Sequence, residues 1–396
     1  MGKYILVTGG QLYNKGAQAM VFITVDELAK RFPDREIVLV SNMDHRRSAQ
    51  EKEKYCFRIM RFPRPVAMVL AQTLPGRWWY QRMGDTDTRE FLKVLRQSDA
   101  MINISGYALG SNWGIKRTIY YMSMIGLARS AHADVYLMPQ SFGPFQYRSI
   151  FAPFIHGMIR RGLRYPKVVM CREKEGYEFL ERKYHLANAV CEPDLVLQNK
   201  GIDLRHIYKK EQALCVPVVP QHSVAVIPNR KTLLYGKEQE IYSLYVELTR
   251  KLLACGRHIY YVYHSTEDLI ICNRLKTEYF GDEERVRVIE QELSCVEFDR
   301  FVQQFDYVVA SRFHAIVHAY KNGVPAIALG WATKYRELLE MFGQGEYRFD
   351  VRGKLDKESF WSAVDQMELR HARISEAIME KMDVVRKENV YDLIKL

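Results

Sequence analysis

Short apolar runs alternate with longer amphipathic stretches from the first residues of the chain onward. Runs rich in β-branched and aromatic side chains at residues 4–8, 36–41, 100–104, 134–138, 168–171 and 190–196 predict strands. Between them, apolar positions recur at helical spacing over residues 17–31, 85–97, 115–133 and 176–184. A second series begins near residue 218. It predicts strands over 223–228, 258–264, 286–289, 307–310 and 325–329, and helices over 237–255, 267–279, 296–304 and 314–322, with Gly256 and Gly323 closing the first and last of these helices. Two more helical patterns, 357–366 and 371–387, end the chain. Such alternation is the mark of parallel sheets wrapped by helices, so the expected fold is α/β, with two Rossmann-like domains facing a central cleft. The predicted domains are residues 1–205 and 206–370, joined through a Pro- and Gln-containing segment near 200–222, with residues 371–396 as a helix crossing back over the first domain.

Composition narrows this picture. With 396 residues, 48% apolar and 27% charged, the chain has the balance of a soluble globular protein of two ordinary domains, which excludes disordered and collagen-like classes. No run approaches the ~18 apolar residues of a spanning helix, and MGKYILVTGG reads as a strand entering a glycine turn instead of a signal peptide. Seven cysteines without a C-x-x-C pair argue against a disulfide framework and against a zinc site, and point to the reducing cytoplasm. No metal is expected. Charge is unevenly placed: residues 1–200 carry 30 Lys+Arg against 18 Asp+Glu, a net +12, while residues 201–396 carry 28 against 29, a net −1. Residues 54–84 hold six basic residues, two adjacent Trp and no acid, and residues 135–172 are also acid-free. Such segments suit an anionic partner: a membrane surface, a nucleic acid or a phosphorylated substrate, with a solvated basic face as the plain alternative. No recognised nucleic-acid motif accompanies them, so no nucleic acid is expected.

In doubly wound sheets ligands bind at the carboxyl ends of strands. Five segments lie there. TGGQLYNKGAQAM places Gly9, Gly10, Asn14 and Lys15 in a turn able to cradle an anion, although it matches no established phosphate-binding fingerprint. PQSFGPF offers Gln140 and Ser141 as donors before a tight turn. SRFHAIVHAYKNGVPAIALG places Arg312 and His314 in the first turn of a helix, joining a bidentate anion binder to a proton carrier, while His318 reads as a packing residue. VVMCREKEG ends a strand on Arg172, beside a core Cys171. YVYHSTEDL supplies His264, Glu267 and Asp268; its two acids are either helix-start residues or functional ones.

Taken in order, TGGQLYNKGAQAM, SGYALGSNWG, MPQSFGPF, MCRE, EPDLVL, SRFHAIVHAYKNGVPAIAL and TKYRELL resemble the polysaccharide pyruvyl transferases. PQSFGPF and SRFHA…NGVPAIAL are the specific segments. The resemblance implies a GT-B-like architecture and transfer of the enolpyruvyl group of phosphoenolpyruvate, a co-substrate and not a cofactor, to two hydroxyls of a cell-surface saccharide. It implies that Arg172, Arg312 and His314 serve donor binding and catalysis, with Lys334 as a weaker candidate for the same pocket. It further implies an acceptor linked to polyprenyl pyrophosphate and an enzyme peripheral at the cytoplasmic membrane, for which Trp78, Trp79, Arg77 and Arg82 are the expected lipid contacts. One departure stands out: where several members carry an Asp after the strand near residue 104, this chain has Ser111 and Asn112. The general base then falls to Glu267 or Asp268, or the activity is altered. A nucleotide-sugar glycosyltransferase and a non-catalytic assembly protein are the alternative readings.

Overall fold

The computed structural model describes residues 2–353 and 355–396. Its strands are β1 (Tyr4–Thr8), β2 (Glu36–Val40), β3 (Arg58–Met60), β4 (Ser98–Asn103), β5 (Tyr107–Leu109), β6 (Asp134–Phe142), β7 (Val168–Cys171), β8 (Ala189–Cys191), β9 (Ser223–Ile227), β10 (His258–Val262), β11 (Val286–Ile289), β12 (Tyr307–Ala310), β13 (Ala326–Leu329) and β14 (Arg348–Phe349). The first eight form one sheet in the order β3-β2-β1-β4-β6-β7-β8, with β5 added to β6; the last six form a second in the order β11-β10-β9-β12-β13-β14. Pairing within both sheets is parallel throughout. The chain is thus two doubly wound α/β units, as the strand–helix alternation predicts. In each, the order reverses beside the first strand, between β1 and β4 and between β9 and β12, the position at which such sheets open a crevice.

The strands are apolar because both faces are covered: Ile5, Leu6 and Val7 of β1 and Val224, Val226 and Ile227 of β9 are buried. One apolar core runs from the inner face of the first sheet into the second domain, through the helices Lys15–Arg31, Cys295–Val302 and Phe313–Lys321. A second fills the outer face of the first sheet.

Several local expectations change. The PQSF stretch is not a turn but the end of β6, because β5 zips onto it: the amides of Ser141 and Gly143 donate to Gly106 O and Leu109 O, both at 3.0 Å. Of the run 190–196 only Val190 and Cys191 are strand, in Ala189–Cys191; Asp194 then caps a one-turn helix, Leu195–Gln198. The two C-terminal helical patterns are one helix, Lys357–Val385, since Met367–Arg370 contain only good helix formers and no Gly or Pro. The chain after it crosses back, with Tyr391 Oη 2.6 Å from Thr24 Oγ1 and the Tyr136 hydroxyl donating to Lys395 O. Among the described residues, no helix is long and apolar enough to cross a membrane.

Candidate active site

The turns leaving the carboxyl ends of both sheets meet at one place. Arg172 follows β7, and its side chain is only 4% exposed. Four of its five N–H donors are committed: Nε to Glu173 Oε1 at 3.0 Å, Nη1 to Asp194 Oδ2 at 2.7 Å, and Nη2 to Gly106 O at 3.1 Å and Ser141 Oγ at 2.6 Å. Its guanidinium carbon lies 4.3 Å from the ring centre of Phe313, which belongs to the second domain. The Ser141 hydroxyl in turn donates to Glu173 Oε1 at 2.8 Å.

His314 enters from the second domain, in the first turn of the helix Phe313–Lys321. Its Nε2 stands 3.6 Å from Asp194 Oδ2, and among the described residues it has no hydrogen-bond partner. Gly16 lets the ring in, for a Cβ there would overlap the imidazole; Gly106 leaves open the space beside His314 Cε1 and Arg172 Nη1. Gly16→Ala is therefore expected to displace the imidazole and cost activity about as much as removing it, with stability falling by roughly 1–3 kcal/mol from overpacking. Circular-dichroism melting and turnover measured side by side would check both effects.

The electrostatics of this junction follow from its burial. Burial would raise the Asp194 carboxyl, but His314, Arg172 and the Val196 amide outweigh it and hold the group below the usual aspartate value. Burial pushes His314 down to about 3, against the pull of Asp194 and helped by Arg172 and Lys334, so the free protein carries a neutral imidazole at neutral pH. Lys334, at the start of the helix Thr333–Met341, has its Nζ 5.0 Å from the same Phe313 ring centre. Burial and the charge of Arg172 lower its pKa to about 7. Among the described residues Lys334 has no ion-pair partner.

Arg312, in contrast, is neutralised. Its Nε donates to Asp268 Oδ2 at 2.8 Å, and its Nη2 donates to Asp268 Oδ1 and Glu267 Oε1, both at 2.6 Å. Asp268 is fully buried and also accepts from the amides of Arg230 and Ser265. The two acids offered as possible bases, Glu267 and Asp268, are thus both engaged: the hydrogen bond from Arg312 holds the Glu267 carboxyl below its usual range, and Asp268 accepts from Arg312 and from the Arg230 and Ser265 amides. Both acids orient the arginine.

The glycine turn also works differently from a phosphate cradle. Gly9 lies against Ser105, and Gly10 against Val21 and Ile104, with no room for a Cβ at either. The amides of Gly16 and Ala17 are taken by the Asn14 side chain. Lys15 is buried with its Nζ 4.2 Å from the Tyr263 ring centre, and burial lowers its pKa to about 8 against the attraction of Glu292 and Asp268. Gln140 is fully buried, accepting from the Tyr121 hydroxyl and donating to Asn103 Oδ1, so it braces the sheet instead of meeting a ligand. Ser111 is spent on Pro144 O and the Gln146 amide, whereas Asn112 donates to Tyr107 Oη at the mouth of the cleft. His318 pairs with Asp299 at 2.7 Å, a packing role, and Cys171 is fully buried.

From this junction a cleft of about 580 Å³ opens between the domains, walled by Tyr107, Asn112, Trp113, Ser141 and Glu173 on one side and Lys231, Tyr235, Trp331, Lys334 and Arg348 on the other. The sequence reading gave Asp194 no role, although it lies in the segment EPDLVL that contributes to the family resemblance and stands as an acid before the apolar run LVL, the pattern of a helix cap. It also missed Phe313, hidden between Arg312 and His314, and the cleft residues Lys231, Tyr235, Trp331 and Arg348, which carry no motif. Among the described residues, no group of three or more His, Cys, Asp or Glu is placed to hold a metal ion.

Two facing Rossmann-like units with a cleft at the sheet ends are the architecture of GT-B glycosyltransferases and UDP-GlcNAc 2-epimerases. Solved structures similar to this one include S. aureus MnaA bound to UDP (TM-score 0.54, 11% identity, covering 98% of this chain and 92% of that one). A putative UDP-N-acetylglucosamine 2-epimerase from Listeria monocytogenes (0.55, 12%, 96% and 91%) and a glycosyltransferase from Rickettsia africae (0.52, 10%, 99% and 98%) are also similar. At such identities the likeness concerns the fold alone. Residues 14–333 match the family model of the polysaccharide pyruvyl transferases. The chain belongs to that family, and is a transferase acting in polysaccharide modification.

Proposed function

We propose that the protein transfers the enolpyruvyl group of phosphoenolpyruvate to two hydroxyls of a saccharide, forming a cyclic pyruvate ketal and releasing phosphate. The observation that carries this reading is the unpartnered Nε2 of His314 beside the buried Asp194–Arg172 pair, with the uncommitted Lys334 across Phe313. A small donor bearing a carboxylate and a phosphate needs fixed positive charge and oriented donors. Lys334 supplies the charge, its pKa of about 7 rising as the donor's anionic groups arrive, while Arg172 and Arg312, both already ion-paired, contribute geometry and exchange part of their pairing for the donor's oxygens.

His314 then handles protons. The donor's negative charges raise the imidazole's pKa, so it takes up a proton as the donor binds and delivers it to C3 of the enol. One saccharide oxygen bonds to C2 as C3 becomes a methyl group, and the proton of that hydroxyl passes back to the now neutral His314. The oxygen of the second hydroxyl then bonds to C2 as the bond between C2 and the phosphate oxygen breaks, and its proton leaves with the phosphate. The Asp194 carboxylate, 3.6 Å from Nε2, stabilises the imidazolium by its charge while His314 is protonated. Incubating the protein with phosphoenolpyruvate and candidate glycans tests this: phosphate release matched by acid-labile pyruvate on the glycan is expected, and pyruvate formation without glycan modification contradicts it.

The acceptor is proposed to be membrane-linked, in the cytoplasm. The helices Pro65–Leu70, Leu74–Met83 and Ala152–Gly162, with the two residues before the last of them, bear exposed apolar groups: Leu74 at 77%, Ile150 at 88%, Trp78, Phe151 and Phe154 more than half exposed, and Trp79 at 48%. They flank the helix Gly114–Ser130, to which Arg77 donates at Ser130 O and Tyr147 is tied at Thr118. Arg77 is therefore partly structural, while Arg82 stacks 4.6 Å over Trp78. Sedimentation with anionic vesicles at low salt is expected to exceed that with neutral ones and to fade with added salt. Equal binding to both vesicle types rules the surface out.

A further inference from the structure

Between Arg312 and His314 stands Phe313, a buried apolar side chain in the middle of a charged junction. The second domain fixes its ring. The Arg312 side chain beside it is tied to Asp268 and Glu267, and the ring meets that of Tyr335 edge-on, with centres 5.9 Å apart at 82°. Tyr335 is held in turn by its hydroxyl, which donates to Ser311 O at 2.9 Å.

Two cations lie against the Phe313 ring, one from each domain: the Arg172 guanidinium carbon at 4.3 Å and Lys334 Nζ at 5.0 Å from its centre. Lys334 Nζ is also 5.6 Å from the Tyr335 ring centre. One turn beyond Lys334, the Glu337 carboxylate accepts from the amides of Lys174 and Glu175, at the N-terminus of the helix Lys174–Tyr184. The helix of Lys334 is thereby fastened to the segment that follows Arg172, and both cations reach the same ring.

Their charges repel. Arg172 and Lys231 disfavour the protonated form of Lys334, while Glu173 and Asp194, both already paired with Arg172, favour it; His314 is kept neutral by burial. The face of an aromatic ring carries negative charge density and attracts a cation, the more so out of water. An aliphatic side chain would fill the same space without that attraction.

We infer that Phe313 is a positioning residue: its ring sets the placement of Arg172 and Lys334 and lets these two like charges stand near each other before an anion arrives. The inference rests on the pyruvyl-transfer reading only in taking phosphoenolpyruvate as that anion.

Removing the ring face takes away an attraction for the protonated ammonium, so Phe313→Leu should lower the Lys334 pKa below its value of about 7, whereas the Arg172 guanidinium stays charged throughout. Lys334 lines the open cleft, within reach of a small reagent. Competitive acetylation of the full chain at a series of pH values, read at Lys334 by mass spectrometry, is expected to place its midpoint about one unit lower in Phe313→Leu than in wild type and to restore it in Phe313→Tyr. Calorimetric titration with phosphoenolpyruvate should show the consequence. Phe313→Leu is expected to weaken binding about threefold or less near pH ~6 and about tenfold or more near pH ~8.5, the donor's own protonation cancelling in the comparison with wild type. In a Lys334→Ala background the pH-dependent part of this loss should vanish. A Lys334 midpoint unchanged in Phe313→Leu, or a loss of affinity equal at both pH values and undiminished in the Lys334→Ala background, overturns the inference and leaves the ring a packing residue. A midpoint that moves as expected in a protein that does not bind phosphoenolpyruvate would instead remove the donor reading and keep the role of the ring.

Discussion

His314→Asn is expected to lower turnover by roughly 10²–10⁴-fold, the range for losing a positioned proton carrier, while phosphoenolpyruvate still binds. The ring has no hydrogen bond to lose at Nε2, so folding should survive. Its pKa gives a second signature. Because the folded-state value lies near 3 and the ordinary value is 6.5, the unfolded chain binds a proton that the folded chain refuses. The native state therefore gains from a neutral His314 above pH 6.5 and loses that advantage progressively as pH falls toward 3. The variant should show a shallower decline in stability across that window, measured by denaturant unfolding at several pH values. Unchanged turnover in this variant would remove His314 from the chemistry.

Asp194→Ala should have the largest effect on stability, because among the described residues it leaves the buried Arg172 with Glu173 as its one carboxylate partner. Breaking a buried pair from one side costs about 3–5 kcal/mol. Replacing both members, Asp194→Leu with Arg172→Met, should recover much of that stability while activity stays lost, which separates the pair's structural cost from its use. The folded-state pKa of Asp194 is depressed, so its contribution is present above its ordinary value of 3.8 and disappears as pH falls through the lower folded value. If the double replacement were as unstable as Asp194→Ala, packing and not the orphaned charge would be responsible.

What the sequence revealed follows the physics of each segment. Fully buried strands such as β1 and β9 announce themselves as apolar runs, and the R-x-H pair stands at a strand end, where ligand sites occur. The helix Leu74–Met83 was not legible, because it buries no residue and so leaves no periodic core stripe, and Ala152–Gly162 buries only Ile155 and Ile159 while Phe154 faces outward. The Asp268–Arg312 and Asp194–Arg172 pairs join residues distant in sequence, so pattern alone could not tell a paired charge from a free one. For that reason the donor-binding roles implied for Arg172 and Arg312 carried no sign that both are already ion-paired, whereas among the described residues Lys334 has no ion-pair partner.

Calorimetric titration with phosphoenolpyruvate, comparing wild type with Lys334→Ala, tests the central claim most directly. One-to-one binding is predicted, weakened about tenfold or more in the variant, as loss of one charge-assisted contact requires. No binding to the wild type, or equal binding to both proteins, would contradict it.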